Sequence, residues 1–274
     1  MSRRSHGGER AIVSRSIAVF HRLGGIVVYL RAMAVFMIVW ELASRWKGNS
    51  VLLPSPVLVL AALWQLALNL ELFEHAVISF SRMLLSVALA AAIAIPLGLL
   101  MGRSRLAEDL VDPLIEILRP ISGIAWIPLA LFIFGIGHAL PTFIMFYTAF
   151  FPIVIGTVAG VQGVDRRLID AARTMGVAPT TIVTRVVLPA ALPAILVGLR
   201  LGVAAGWTAV VAAELVGAPS GLGYAVEWYR ELLMTPKVMA FVAMIGVLGY
   251  LCDASVRRLQ VAFTPWAPRA DGAR

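Results

Sequence analysis

The sequence predicts an all-α protein that crosses a membrane six times. Composition, charge-free runs and the placement of arginine carry that expectation. Of 274 residues, 60% are hydrophobic and 14% charged, against about 25% charged in an ordinary soluble domain. Mean hydropathy is +0.90. A soluble globule needs more polar surface than this, and the apolar content excludes a disordered chain. A single cysteine, Cys252, excludes a disulfide framework and a cysteine-based zinc cluster.

The first 24 residues are polar and arginine-rich. No clean small-x-small site follows them, so they do not read as a cleaved leader. Residues 11–23 alternate Ile12, Val13, Ile17 and Phe20 with Arg15, His21 and Arg22, a pattern suited to the inner leaflet. Six spans are predicted near 23–44, 82–102, 114–136, 140–161, 193–216 and 237–254. Arg31 and Glu41 interrupt the first. Pro120 to Val164 is 45 residues without charge, enough for two crossings, with Gly135, Gly137, His138 and Pro141 marking the turn.

Gly48 to Leu70, 23 uncharged residues, competes as a seventh span. Basic residues arbitrate. Six spans with the N-terminus inside put 15 Lys and Arg on the cytoplasmic side and 5 outside, whereas a seventh span gives 8 and 12. Six spans follow, with both termini cytoplasmic. Ser55-Pro56 then reads as a helix start, and Gln65, Asn69, Glu71 and Glu74 as the polar side of an amphipathic helix on the outer surface. The expected domains are a cytoplasmic segment 1–24, a transmembrane domain 25–256 containing a loop 162–192, and a cytoplasmic tail 257–274. The charge of +8 is topological and does not point to nucleic acid.

Catalysis finds little support. His6, His21, His75 and His138 are scattered, and neither HExxH, GxSxG nor a GxxxxGK[ST] loop occurs. No catalytic residue, metal ligand or cofactor is expected. Uphill transport would draw on an ion gradient or a separate ATPase. A gradient-driven secondary carrier, the alternative, predicts midplane carboxylates and internal repeats, and neither is apparent.

Loop 162–192 is the most informative segment. Asp165 is an N-cap, and Leu168, Ala171, Ala172 and Met175 fall on one helix face. Gly176 supplies the stop, and Pro179 opens a second short helix to about Val187. Pro189 and Pro193 lead into the fifth span. The small-residue ridge can receive a partner, or it can pack on the protein's own membrane ends.

Asp170-Ala171-Ala172, three residues, Gly176, nine residues, Val186, one residue and Leu188-Pro189 resemble the EAA loop of ATP-binding-cassette importer permeases. Asp170 stands for the usual Glu and Val186 for the usual Ile. Trp40-Glu41-Leu42, Leu53-Pro54-Ser55-Pro56, Asp112-Pro113-Leu114, Arg119-Pro120, Ala125-Trp126-Ile127-Pro128-Leu129, Phe134-Gly135-Ile136-Gly137, Glu214 and Gly221-Leu222-Gly223-Tyr224 look like the nitrate/sulfonate/taurine branch. After Arg119-Pro120 the family usually has a proline pair. Ser122-Gly123 replaces it and takes away what would kink the third span. Ser86 and Ile93 replace glycines early in the second.

The resemblance implies a type I importer permease of six helices in a bacterial inner membrane, with no cofactor of its own. It would work as a homodimer in lipid, with an ATPase that binds the ATP and a periplasmic or extracellular solute-binding protein. Asp170, Ala171, Ala172, Gly176, Val186, Leu188 and Pro189 would couple to the ATPase. Ionisable residues within spans are functional candidates, so the candidates for pathway or gate are Glu214 and Arg200, with Gly221 and Gly223 beside them. Arg200 and Glu214 lie 14 residues apart on one span, about 21 Å, too far to pair. Arg200 is expected to snorkel, and Arg119 to pair locally with Glu116.

Overall fold

A computed structural model describes residues 31–266. The expected segment 1–24, the start of the first span and the last eight residues of the tail lie outside the described residues. Helix α1 occupies 31–47. It is followed by α2 (Pro56–Leu68), α3 (Glu71–Arg103), α4 (Arg105–Leu118), α5 (Ile127–Phe134), α6 (Ala139–Gln162), α7 (Arg166–Thr174), α8 (Pro179–Ile182), α9 (Leu188–Gly217), α10 (Leu222–Glu231) and α11 (Thr235–Phe263). No strand occurs among the described residues. α3, α6, the run from α8 through α9, and α11 are each long and apolar enough to cross a membrane.

The expected third span is broken. α4 and the segment Gly123–Phe134 meet at 84°. Pro120 has no N–H for the carbonyl of Glu116, and Ser122 turns extended at φ −60°, ψ 136°. The bend therefore forms without the proline pair. Gly123 lets the next turn sit directly on Thr148 and Ile144 of α6, where a side chain would collide. Tyr147 pins the far side, its hydroxyl donating to the carbonyl of Leu118 at 2.7 Å.

Other boundaries move for identifiable reasons. α11 continues to Phe263, so the expected domain limit at 256 falls inside a helix. α2 has its Ser55 cap, but its exposed side carries Val57, Leu60, Trp64 and Leu68. It is apolar on both sides, with Gln65 a single polar interruption, and packs on α11 and α3. Trp40 donates its indole N–H to the carbonyl of Pro54 at 3.0 Å and Ser44 its hydroxyl to that of Leu53 at 2.9 Å. These bonds tie α1 to the loop that precedes α2.

The core is a three-helix contact of α6 with α3 and α9. Small residues recur every four positions: Ala90, Ala94, Gly98 and Gly102 on α3, Gly156 and Gly160 on α6, and Gly198, Gly202 and Gly206 on α9. Without an aqueous hydrophobic drive, helices in a membrane associate by close packing, and small residues permit it. A Cβ on Gly156 would lie 2.6 Å from Cα of Gly198, and one on Gly198 would lie 2.9 Å from the carbonyl of Pro152. Backbones in such contact cannot yield locally.

Gly198→Val should therefore destabilise the protein strongly. Overpacking costs about 1–3 kcal/mol, and here rigid backbone receives it. Gly246, with nothing near its would-be Cβ, should tolerate alanine. Thermal unfolding in detergent tests the contrast. Equal midpoints for Gly198→Val and wild type would show that the α6–α9 crossing does not hold the fold.

Candidate functional site

Polar side chains converge where α3, α6 and α9 end on one side of the bundle. Glu214, near the end of α9, is 1% exposed. Arg82 and Ser79 of α3 are also buried. The Arg82 guanidinium donates to Glu214. Ser79 Oγ lies 2.9 and 2.8 Å from the two carboxylate oxygens and accepts from the backbone N–H of Leu222 at 2.8 Å. The N–H of Gly223 donates to Glu214 Oε2 at 2.9 Å. The carboxylate thus sits at the start of α10, where unpaired N–H groups favour negative charge.

Arg82 reaches further. Both terminal nitrogens lie 3.3 Å from the carbonyl of Ser220, and one donates to His138 Nδ1 at 2.8 Å. A guanidinium only donates, so His138 carries its proton on Nε2. His138 stands in the turn between α5 and α6. The same turn is tied to α9 by the N–H of Gly137 donating to the carbonyl of Gly217 at 2.8 Å. His75 accepts from the N–H of Gly221 at 3.2 Å.

Gly221 and Gly223 are required sterically. Gly221 has φ +120°, and a Cβ there would lie 2.5 Å from both Glu214 oxygens. A Cβ on Gly223 would lie 2.6 Å from Cβ of Glu214. The loop closes over the carboxylate only because both lack side chains.

The expectations for isolated charges need correction. Arg82, one of the five basic residues counted outside at the edge of the expected second span, is buried. Arg200 is not isolated: it makes a two-pronged pair with Asp253 of α11 at 2.6 and 2.8 Å. Arg119 and Glu116 are both exposed and make no ion pair with each other. The sequence reading missed Arg82, Ser79, His75 and Asp253 as partners. A signal for three of them was available, since His75, Ser79, Arg82 and Ser86 recur at helical spacing on a segment that is apolar apart from Ser81.

Outside the spans, Tyr229 of α10 donates to Glu71 at 2.7 Å under the ammonium of Lys237, 4.5 Å from its ring. Burial, then Glu71, pushes the phenol up to about 12. This raised value means that the contact stabilises fully below about pH 10 and is lost as pH climbs toward 12.

In loop 162–192, Asp165 Oδ1 accepts from the N–H of Arg167 at 2.9 Å, capping α7. Gly176 takes φ +71°. Pro179 opens α8, which passes through a widened turn, Val183–Val187, into α9. There the N–H of Leu188 reaches back five residues to Val183, relieving the clash that Pro189 would make in a regular turn. The anticipated single face is split. Ala172, 5% exposed, joins a cluster with Val161, Val164, Ile182, Val187, Ala191 and Ile195, with Val186 and Leu188 packed beside it. Leu168, Ala171 and Met175 remain outside, Met175 being 74% exposed. Asp170 pairs on the surface with Arg173 at 3.5 Å, and Pro189 is exposed.

A bundle of long apolar helices, two of them crossing on glycine, with a capped loop seated on the helix ends, defines a polytopic membrane protein. The chain belongs to the family of binding-protein-dependent transport system inner membrane components, whose profile matches residues 94–267. It is therefore a multi-pass protein of an inner-membrane ABC transporter family. It is 39% identical over 246 residues to a putative ABC transporter permease of Methanocaldococcus jannaschii, covering 88% of this chain and 92% of that one. Over 247 residues it is 34% identical to the taurine transport system permease of Escherichia coli, covering 88% and 90%. Over 248 residues it is 31% identical to the nitrate import permease of Synechocystis, covering 85% and 88%. An inward-facing structure of the MetNI methionine ABC transporter shares the fold at a TM-score of 0.62 and 23% identity, covering 71% of this chain and 97% of that one.

Removing either member of the Arg82–Glu214 pair should cost about 3–5 kcal/mol, because the survivor is a buried unpaired charge. The double variant Arg82→Gln/Glu214→Gln should cost less than the two single changes together. Thermal unfolding of the three variants measures this. Strict additivity would mean that the two side chains do not act as a unit.

Proposed function

We propose that this chain forms the membrane path of an ATP-driven importer for a small oxyanion such as taurine, another sulfonate or nitrate. The observation that carries the reading is near full-length similarity to permeases named for taurine and nitrate. Two copies assemble in the membrane with both termini in the cytoplasm, and an external binding protein delivers the solute. A separate ATPase docks on loop 162–192 through Asp170, Ala171 and the neighbouring exposed residues, while Ala172, Gly176, Val186, Leu188 and Pro189 hold the loop in shape.

The Arg82–Glu214 cluster acts as the outer gate. Its guanidinium is already occupied by a carboxylate, a carbonyl and an imidazole. It therefore serves as a lock between helices, and opening it requires the α9–α10 loop and the α5–α6 turn to separate together.

The docking surface is testable at adjacent residues. Ala171→Glu places a charge on the exposed ridge and should weaken ATPase co-purification at least tenfold, a loss of about 1.4 kcal/mol, with the permease still folded. Ala172→Glu buries that charge among the chain's own side chains and should reduce folded permease. Full ATPase binding and full uptake by Ala171→Glu would move the docking site elsewhere. Uptake of taurine and nitrate into vesicles should require the ATPase and ATP. Transport driven by an ion gradient alone would overturn the reading.

A further inference from the structure

The second ion pair differs from the gate in the property that matters for transport. Arg200 grips Asp253 through Nε and a terminal nitrogen at 2.6 and 2.8 Å, yet the side chains are 38% and 41% exposed. Arg200 lies 14 residues along α9 from Glu214, about 21 Å, and both α9 and α11 are long and apolar enough to cross a membrane. A half-exposed charged pair between two such helices is expensive against acyl chains and belongs beside water. One turn further along α11 stands Arg257, exposed and without an ion pair among the described residues. Two guanidinium groups and one carboxylate leave an excess positive charge. One turn along α9 toward Glu214, Ala204 is exposed and small, which leaves room beside Arg200.

The guanidinium fork accepts two oxygens of one planar or tetrahedral oxyanion as readily as those of a carboxylate. Asp253 holds the fork in that pose. We propose that Arg200 is the cationic station for the oxyanion as it crosses the membrane, and that Asp253 is the resident counter-ion which the passing oxyanion displaces. The oxyanion class rests on the function proposed above, whereas the station itself stands on the geometry of α9 and α11.

The test uses the full chain in nanodiscs of phosphatidylcholine alone, so that no anionic headgroup competes. In a Cys252→Ser background, Ala204→Cys reports the local field through its reaction with an anionic sulfonatoethyl or a cationic trimethylammonium-ethyl methanethiosulfonate. One unit charge about 7 Å away in water changes local ion concentration about threefold. Asp253→Asn should speed the anionic reagent and slow the cationic one by about that factor, and Arg200→Gln should do the reverse. Taurine or nitrate should slow the anionic reagent on Asp253→Asn but not on Arg200→Gln. If Arg200→Gln does not fold, Asp253→Asn decides alone, because it leaves Arg200 in place. The proposal fails if both variants shift the two reagents in the same direction; a merely structural pair would give the opposed shifts without protection by oxyanion. It also fails if neither reagent reacts, or if neither oxyanion protects. ATPase-dependent uptake without these opposed shifts would spare the importer function and remove the station.

Discussion

A carboxylate has been taken out of water at Glu214, and much of one end of the molecule is arranged around keeping it satisfied. Arg82, Ser79 and the N–H of Gly223 each donate to it. Those donors come from α3 and α10, and Arg82 recruits the α5–α6 turn through His138. Deprived of any donor, a buried charge costs several kcal/mol. The four segments are therefore held at one point, and none can leave alone.

The same helical run that carries Glu214 begins at loop 162–192. From Pro179 the chain is helical without interruption to Gly217, crossing α6 on glycine contacts too close to slip. A displacement of α8 therefore has no soft joint in which to dissipate before it reaches Glu214. The widened turn at Val183–Val187 relieves the strain of Pro189 without breaking the rod. Arg200 and Asp253 join α9 to α11 between the loop and the Glu214 cluster, so movement of α9 against α11 acts on that pair as well.

The loop itself shows how one short helix serves two surfaces. Ala172 anchors α7 to the ends of α6 and α9, whereas Leu168, Ala171 and Met175 face outward. Self-packing holds at Ala172, while Ala171 stays exposed. Helical geometry permits this because Ala171 and Ala172 are rotated about 100° apart.

The sequence by itself determined the class of fold, because long charge-free runs demand an apolar environment that a chain this size supplies only in lipid. It also determined the loop's helices, whose caps at Asp165, Gly176 and Pro179 are local devices, and the importance of Glu214, since a carboxylate in an apolar helix demands a reason. Tertiary structure alone decided which charges meet. Arg82 and Glu214 are 132 residues apart and Arg200 and Asp253 are 53 apart, and no local spacing encodes contacts between helices. It also decided the 84° break at Ser122, because Pro120 frees the backbone but the docking of Gly123 against Thr148 and Ile144 sets where the chain goes next.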